Sequence, residues 1–449
     1  MKYKKERLYR SIFIIFFIAT CCSITFFTAS GAEEQKKPPT IEQLAAGEGK
    51  GWLPPSIEDL TQGKVKIGDL INKDNVDLVK DYLPLSIYEC VKKGMVMRMG
   101  ENLPPEKMVP RYFWEASVKN KGKAVMDKEG TVLMPDGSPW AGGIPFPEPK
   151  TGLEIMANVK FGLGISDQYY PPYPMFYINK EGQIYKTGSF EVRQAWAFGR
   201  LKVPPLGTIP GMEDLQWKHI SVFTSPLELK GLGQLTIRHY DENKNPDTGF
   251  VYLPAFKRTI RVSATTWQDN MGGTDFTWGD PQGLREPYAY WNFKLLKTQL
   301  MLVPEPKSPF PLLNLEDRSL NKEVLTDHGE TFVRLGWTIT PMHIVEATPK
   351  IPHIYGKKIL YIYAPPYWTG IMPILAVDVY DKAKKLWKSY FDFRGLVVDA
   401  DGESCALTSG GMMYDLQTGH ATRHNWLCVP DVGIDINDLN LKMLLEKGR

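Results

Sequence analysis

Residues 175–187 read Met-Phe-Tyr-Ile-Asn-Lys-Glu-Gly-Gln-Ile-Tyr-Lys-Thr. Two runs rich in aromatic and β-branched residues, Met175 to Ile178 and Gln183 to Thr187, flank the turn residues Asn179-Lys180-Glu181-Gly182. That is the pattern of a β-hairpin. Runs of the same kind occur at Phe190 to Leu201, with Val192, Trp196 and Phe198 at even positions, and at Ile220 to Thr224, Gly233 to Tyr240 and Phe250 to Leu253. Arg258 to Ser263 interleaves polar and apolar residues, as a half-exposed strand does. Further candidates are Thr331 to Thr340, His343 to Ala347, Lys358 to Tyr363, Ile371 to Tyr380 and Leu386 to Phe393. Asp381-Lys382-Ala383-Lys384 joins the last two as an antiparallel hairpin. No stretch alternates strand with an amphipathic helix, so parallel βαβ units are not expected. The sequence predicts a mainly β chain with some helices (α+β), built on an antiparallel sheet over residues 111–395.

The flanks differ. From 56 to 110 the apolar positions Leu70, Val76, Val79 and Leu83 fit a helical stripe. Asp74 is placed to cap a helix starting near Asn75 and ending before Pro84, and a second helix over Leu85 to Lys93 stops at Gly94. Residues 33–55 are polar and Pro/Gly-rich, as a linker is. After Gly395, residues 396–449 read as a loop-rich segment packed on the same domain, broken by Gly410-Gly411, with a terminal helix near Leu439 to Arg449.

The first 32 residues have the order basic, apolar, small. Lys2, Lys4, Lys5, Arg7 and Arg10 precede an uncharged run from Ser11 to Thr28, and Ala29, Ser30, Gly31 and Ala32 close it. This is the layout of a secretory signal cleaved near Ala32, or of an uncleaved anchor, and either exports the rest of the chain. The leader takes +4 with it from a formal net charge of +3, leaving −1, so no basic footprint for nucleic acid is expected. Cys90, Cys405 and Cys428 remain; in an oxidising compartment Cys405 and Cys428 are the expected pair, with Cys90 a buried thiol.

Catalytic signatures are missing from the sequence. There is no GxSxG elbow, HExxH, P-loop or dinucleotide fingerprint, and Gly162 and Gly164 lack the third glycine of the last. His420 and His424 lie four apart, but after a turn and along a strand, which separates the rings; no metal or other cofactor is expected. Asp269, Asp275 and Asp280 surround Gly272-Gly273. Such carboxylates serve acid–base or calcium chemistry, yet turn formation accounts for all three. Arg285 and Glu286 are placed to pair across this loop.

Several segments together resemble a domain-of-unknown-function family of Gram-negative envelope proteins labelled outer membrane lipoprotein-sorting protein, allied with the LolA/LolB carriers. They are Ile71 to Asn75 through Tyr82 to Tyr88, Pro147 to Glu154, Val251 to Arg261, the loop Gly273-Thr274-Asp275-Phe276-Thr277-Trp278 with its GxDF pattern, and His343 to Phe391. The order is that of the family over residues 65–395. The Trp267 to Trp278 stretch is shorter than the family loop, and the region after Gly395 matches less clearly. The resemblance implies a curved antiparallel half-barrel, closed on its concave side by helices around an apolar cavity. It also implies a non-catalytic periplasmic carrier for a lipid, a lipoprotein acyl chain or another hydrophobic molecule, accessory to envelope export. The alternative is an interaction subunit of an RND-type or outer-membrane transport system; an envelope hydrolase using Asp275 and Glu286 is the third reading. Expected cavity residues are the strand aromatics Trp196, Phe198, Tyr252, Phe256, Trp337, Tyr361 and Tyr363, for each of which plain core packing is the competing role.

Overall fold

The computed structural model describes residues 37–262, 267–306, 325–326, 329–370, 373–398, 402–426 and 428–448. The proposed leader, Ser263 and residues 371–372 of the expected strand at 371–380 lie outside these. Residues from Lys37 onward form one compact unit.

Asn179 shows why the hairpin forms. Its side-chain oxygen accepts the N–H groups of Glu181 and Gln183, and Gly182 supplies the left-handed backbone at φ +81°. The flanking strands are longer than the sequence suggested: β5 is Asp167–Ile178 and β6 is Ile184–Trp196, continuous through Gly188. Pro171 and Pro172 in β5 are tolerated because the register shifts between Tyr170 and Tyr173. The meander continues through β7 (Leu215–Ser225), β8 (Gly233–His239), β9 (Thr248–Leu253) and β10 (Arg258–Val262).

A second meander comprises β14 (Leu335–Pro349), β15 (Lys357–Tyr363), β16 (Ile374–Tyr380), β17 (Leu386–Val398), β18 (Ser404–Asp415) and β19 (Ala421–His424). β19 pairs with β5, which joins the two meanders edge to edge. Three short strands extend this sheet: β1 (Leu70–Ile71), β2 (Met97–Met99) and β20 (Val429–Pro430). The long β11 (Trp291–Pro304) pairs with β14 along the opposite side from β15. Two small ribbons stand apart, β3 (Val125–Met126) with β4 (Val132–Leu133), and β12 (Leu325–Thr326) with β13 (Gly329–Val333). Pairing in the main sheet is antiparallel except between β2 and β14. Among the described residues the sheet is open: β10 at one end is unpaired with β1 and β11 at the other.

Four expectations are corrected. Residues 75–83 form two 3-10 turns, Val76–Leu78 and Lys80–Tyr82, not an α-helix; the helix comes after Pro84, as α3 (Leu85–Lys92). Residues 37–55 are not all linker, since Thr40 and Gln43 make a reciprocal capping box for α1 (Ile41–Ala45). The stretch after Gly395 is not loop-rich, because β18 lies inside the sheet between β17 and β19. Gly410 there is no turn: a Cβ would come within 2.9 Å of the Phe393 ring and 2.5 Å of the His424 carbonyl. Finally, Cys405 and Cys428 do not form a disulfide. Trp426 bonds Ser409, four residues along β18 from Cys405, and Cys428 is buried beside the Tyr170 hydroxyl instead.

The remaining helices are α2 (Ile57–Leu60), α4 (Pro105–Met108), α5 (Arg111–Asn120), α6 (Gly152–Phe161) and α7 (Leu441–Gly448). α7 covers one face of β7–β9 with Leu444, over Leu215, Val222, Leu235 and Tyr252. α3 covers one face of β16 and β17, where Asp378 accepts the Ser86 N–H at its first turn and the Tyr361 hydroxyl. The other face of both meanders is occupied by α6 and by the loop 267–290. That loop reaches strands eight positions apart in the sheet, from β8 to β15. Flat strands at about 4.8 Å spacing would hold those positions almost 40 Å apart, so the sheet curves around the loop.

Candidate functional site

On the face of β5–β8 that looks at this loop, strand register sets the side chains in rows. One row runs Gln168, Gln194, His219, Thr236; the next Tyr170, Val192, Ser221, Gln234; a third Trp196, Trp217, Arg238. A bulge between Leu215 and Trp217 lets the adjacent Gln216 and Trp217 both reach the same space.

Between these rows and the loop lie two adjoining cavities. The first, about 80 Å³, is lined by Gln168, Gln194, Trp196, Gln216 and Arg285, with Lys160 from α6. The second, about 50 Å³, is lined chiefly by Tyr170, Tyr173, Phe190, Met271, Trp278 and Trp426. Gln282 and Arg285 border both. Both fall below the roughly 300–1,000 Å³ of ordinary small-molecule sites, because loop side chains fill the trough. A larger hollow of about 330 Å³, beside α1, α4 and β18, is lined by charged side chains of both signs, including Lys50, Glu106, Arg111 and Glu403, with Leu44, Val109 and Trp114.

The loop is held down by buried polar contacts. Lys358 Nζ lies 2.9 Å from Asp280 Oδ1, with both side chains at most 1% exposed. Asp280 Oδ2 accepts the Thr277 N–H and hydroxyl and, at 2.7 Å, the Tyr355 hydroxyl. Burial alone would raise the Asp280 carboxyl, but the Lys358 and Lys388 charges outweigh it and hold it at about 2. Lys388 donates to the Asp275 carbonyl, the Thr422 hydroxyl donates to Asp275 Oδ2, and Glu286 meets His353 at 3.0 Å. Arg285 and Glu286 therefore do not pair. Gly272 shows how tightly the loop tip is seated. Its φ is +64°, its carbonyl accepts the Tyr177 hydroxyl, and a Cβ there would stand 2.5 Å from the Phe223 ring. Gly272→Ala is expected to cost about 2–3 kcal/mol, from left-handed strain and the clash together, as read by urea unfolding.

Around the cavities the charges are mostly matched. Lys160 meets Glu242 at 3.1 Å, and Arg238 meets Asp247 at 2.9 Å and Glu242 at 3.8 Å. Burial drives His424 down to about 3 and His219 well below its ordinary value, the latter with Arg285 adding repulsion, so both rings are neutral. Burial, then the neighbouring Arg238, lowers Arg285 to about 9.

Residues 70–432 match a family model described as "Protein of unknown function (DUF1329)". The chain belongs to the DUF1329 family. Similar solved structures include an outer membrane lipoprotein-sorting protein domain from Vibrio parahaemolyticus, with 18% identity, 62% of this chain and 92% of that one covered, and a TM-score of 0.41. A DUF1329 family protein from Desulfovibrio piger shares 18% identity over 63% of this chain and 92% of its own, also at 0.41. A LolA superfamily protein from Nitrosomonas europaea shares 12% identity over 66% and 100%, at 0.36. No curated protein matches the chain.

In this DUF1329 protein only one of the seven expected aromatics, Trp196, lines the cavities. Phe198 packs with Phe161 and Tyr240, and Tyr252 faces α7 on the reverse of the sheet. Phe256 is 70% exposed at the turn between β9 and β10. Trp337 packs near Phe391, Tyr361 is bonded to Asp378 under α3, and Tyr363 is buried beside Arg394. The motif residues Asp275 and Phe276 anchor the loop, the phenyl ring lying 4.5 Å from the His424 ring. Among the described residues no three His, Cys, Asp or Glu side chains converge as a metal-ligand set.

Proposed function

We propose that this protein is a periplasmic carrier whose curved sheet takes the apolar part of a lipid, a lipoprotein acyl chain or a similar amphiphile into the trough under residues 267–290. One observation carries this: Tyr170, Tyr173, Phe190 and Val192 of β5 and β6 wall the second cavity, and its cover is a loop, not a strand or helix of the core. Sheltering a chain of a dozen methylenes removes about 10 kcal/mol of exposed apolar surface, at about 0.8 kcal/mol per methylene. Lifting Met271, Trp278 and Pro281 from the second cavity is the opposing cost. The carboxylates that a hydrolase would need support the non-catalytic reading. Of Asp275 and Glu286, Glu286 is almost fully buried against His353, and Asp275 is engaged by the Thr422 hydroxyl.

A second reading, an interaction subunit of an RND-type or outer-membrane transport system, is favoured by one feature. Phe256 and Ile260, 70% and 45% exposed, stand beside the unpaired edge of β10, a place where another chain can add a strand.

Native mass spectrometry of protein purified from envelope extract separates the two. The carrier reading expects a bound amphiphile that is lost from Trp196→Glu, provided the variant's circular dichroism is unchanged. A protein that emerges empty, and takes up no added amphiphile, contradicts it and favours the interaction subunit.

A further inference from the structure

The larger of the two adjoining cavities has more hydrogen-bond donors than acceptors to meet them. Of its three cations, Lys160 and Arg238 are paired with Glu242 and Asp247. Among the described residues, Arg285 has no carboxylate within ion-pair distance. Its side chain makes one hydrogen bond, 3.0 Å from Nη2 to the Gln194 carbonyl oxygen, and lies 4.9 Å over the Trp217 ring. Two more donors stand on the opposite wall. Gln168 and Gln216 are 0% and 2% exposed, and among the described residues the amide nitrogen of each meets no acceptor. The Gln168 oxygen is already taken by the Tyr170 hydroxyl, which leaves the nitrogen as its spare group. A buried donor without a partner is destabilising, and a half-buried guanidinium without a counter-charge more so, so the cavity is built for something that supplies oxygen atoms and negative charge.

We propose that this cavity is an oxyanion site, formed by Arg285, Gln168 and Gln216, for the anionic head of an amphiphile whose apolar part enters the adjoining aromatic cavity. This rests on the carrier reading and specifies its ligand. Arg285 borders both cavities, so a head bound to it leaves the attached chain at the mouth of the second. The dimensions favour a compact group: about 80 Å³ holds a few water-sized groups, hence a carboxylate or a single phosphate, not a sugar. Planar, bidentate recognition is what arginine offers to either.

The test is isothermal titration of the full exported chain with dodecanoate, dodecyl phosphate and dodecanol, which share one chain and differ in the head. Dodecanoate or dodecyl phosphate is expected to bind at least tenfold tighter than dodecanol, and the stronger of the two identifies the head as carboxylate or phosphate. Arg285→Gln is expected to abolish that difference by weakening binding of the anions at least tenfold. Gln216→Leu, which removes a donor that has no partner in the free protein, is expected to fold at least as stably and to bind the anion several-fold more weakly. Equal binding of all three amphiphiles, or a preference that survives both substitutions, overturns the oxyanion site while leaving the carrier reading in place. No binding of any of the three overturns both.

Discussion

Replacing Lys358 with methionine is expected to destabilise the protein by about 3–5 kcal/mol, the usual result of removing one partner from a buried ion pair. The ammonium lies 2.9 Å from Asp280 at the centre of the molecule, with a side-chain exposure of 0%, and no water can replace it. Asp280 would keep its bonds from Thr277 and Tyr355, but it would lose the charge that most offsets its desolvation. Neutralising both partners together, Lys358→Met with Asp280→Asn, is expected to recover more than half of the loss, because a hydrogen-bonded amide costs far less to bury than a lone carboxylate. Urea unfolding reads both effects as shifts in midpoint at constant slope. A single-variant loss below about 1 kcal/mol would show that the loop is held by apolar packing and not by this pair.

Acid is expected to draw stability from the buried histidines, against an opposing gain from Asp392 and Asp431, whose carboxyls burial raises to about 7 and about 6. Burial lowers His343 to about 4 and His424 to about 3, against an ordinary value of 6.5. A histidine whose folded value is depressed contributes stability that is complete above the unfolded value and is lost as pH falls toward the folded one. At about pH 5 each of the two has given up about 2 kcal/mol, roughly 4 kcal/mol together, and His219 adds in the same direction. Asp280 is also depressed, but its window lies lower, from 3.8 down to about 2. Among the described residues, neither ring nitrogen of His424 has a hydrogen-bond partner, and the ring packs against Phe276 and Trp426. His424→Phe is therefore expected to be neutral or stabilising at neutral pH, and to remove about 2 kcal/mol from the loss between about pH 7 and pH 5. Equal pH dependence in the variant and the parent would place the sensitivity elsewhere.

The sheet was legible because its strands carry their own turns. Asn179 to Gly182 and Asp381 to Lys384 identified two hairpins directly, and both lie where the structure has them. β11 was missed for a physical reason: it is an edge strand, and much of Trp291–Pro304, including Lys294, Leu296, Lys297 and Thr298, is exposed, so its apolar residues do not alternate cleanly. β18 was missed because Gly410-Gly411 reads as a turn when the close approach of Phe393 and His424 is unseen. The site was less legible than the fold. Aromatic richness pointed to seven residues, yet which face a strand residue takes depends on register, and six of the seven face other parts of the core or the solvent. The residues that give the cavity its polarity, Gln168, Gln194, Gln216 and Arg285, carry no motif. A glutamine two positions before Trp196, and another directly before Trp217, were the only sequence signs of polar groups set into an aromatic wall.

The carrier reading and the covering loop stand or fall together in one measurement: a crystal structure of the protein grown with ω-bromododecanoate, located by the anomalous signal of bromine. The account predicts bromine between β5–β7 and residues 267–290, with Met271 and Trp278 displaced and the carboxylate against Arg285. Bromine bound only on the outer surface, with the trough still filled by the loop, would contradict it.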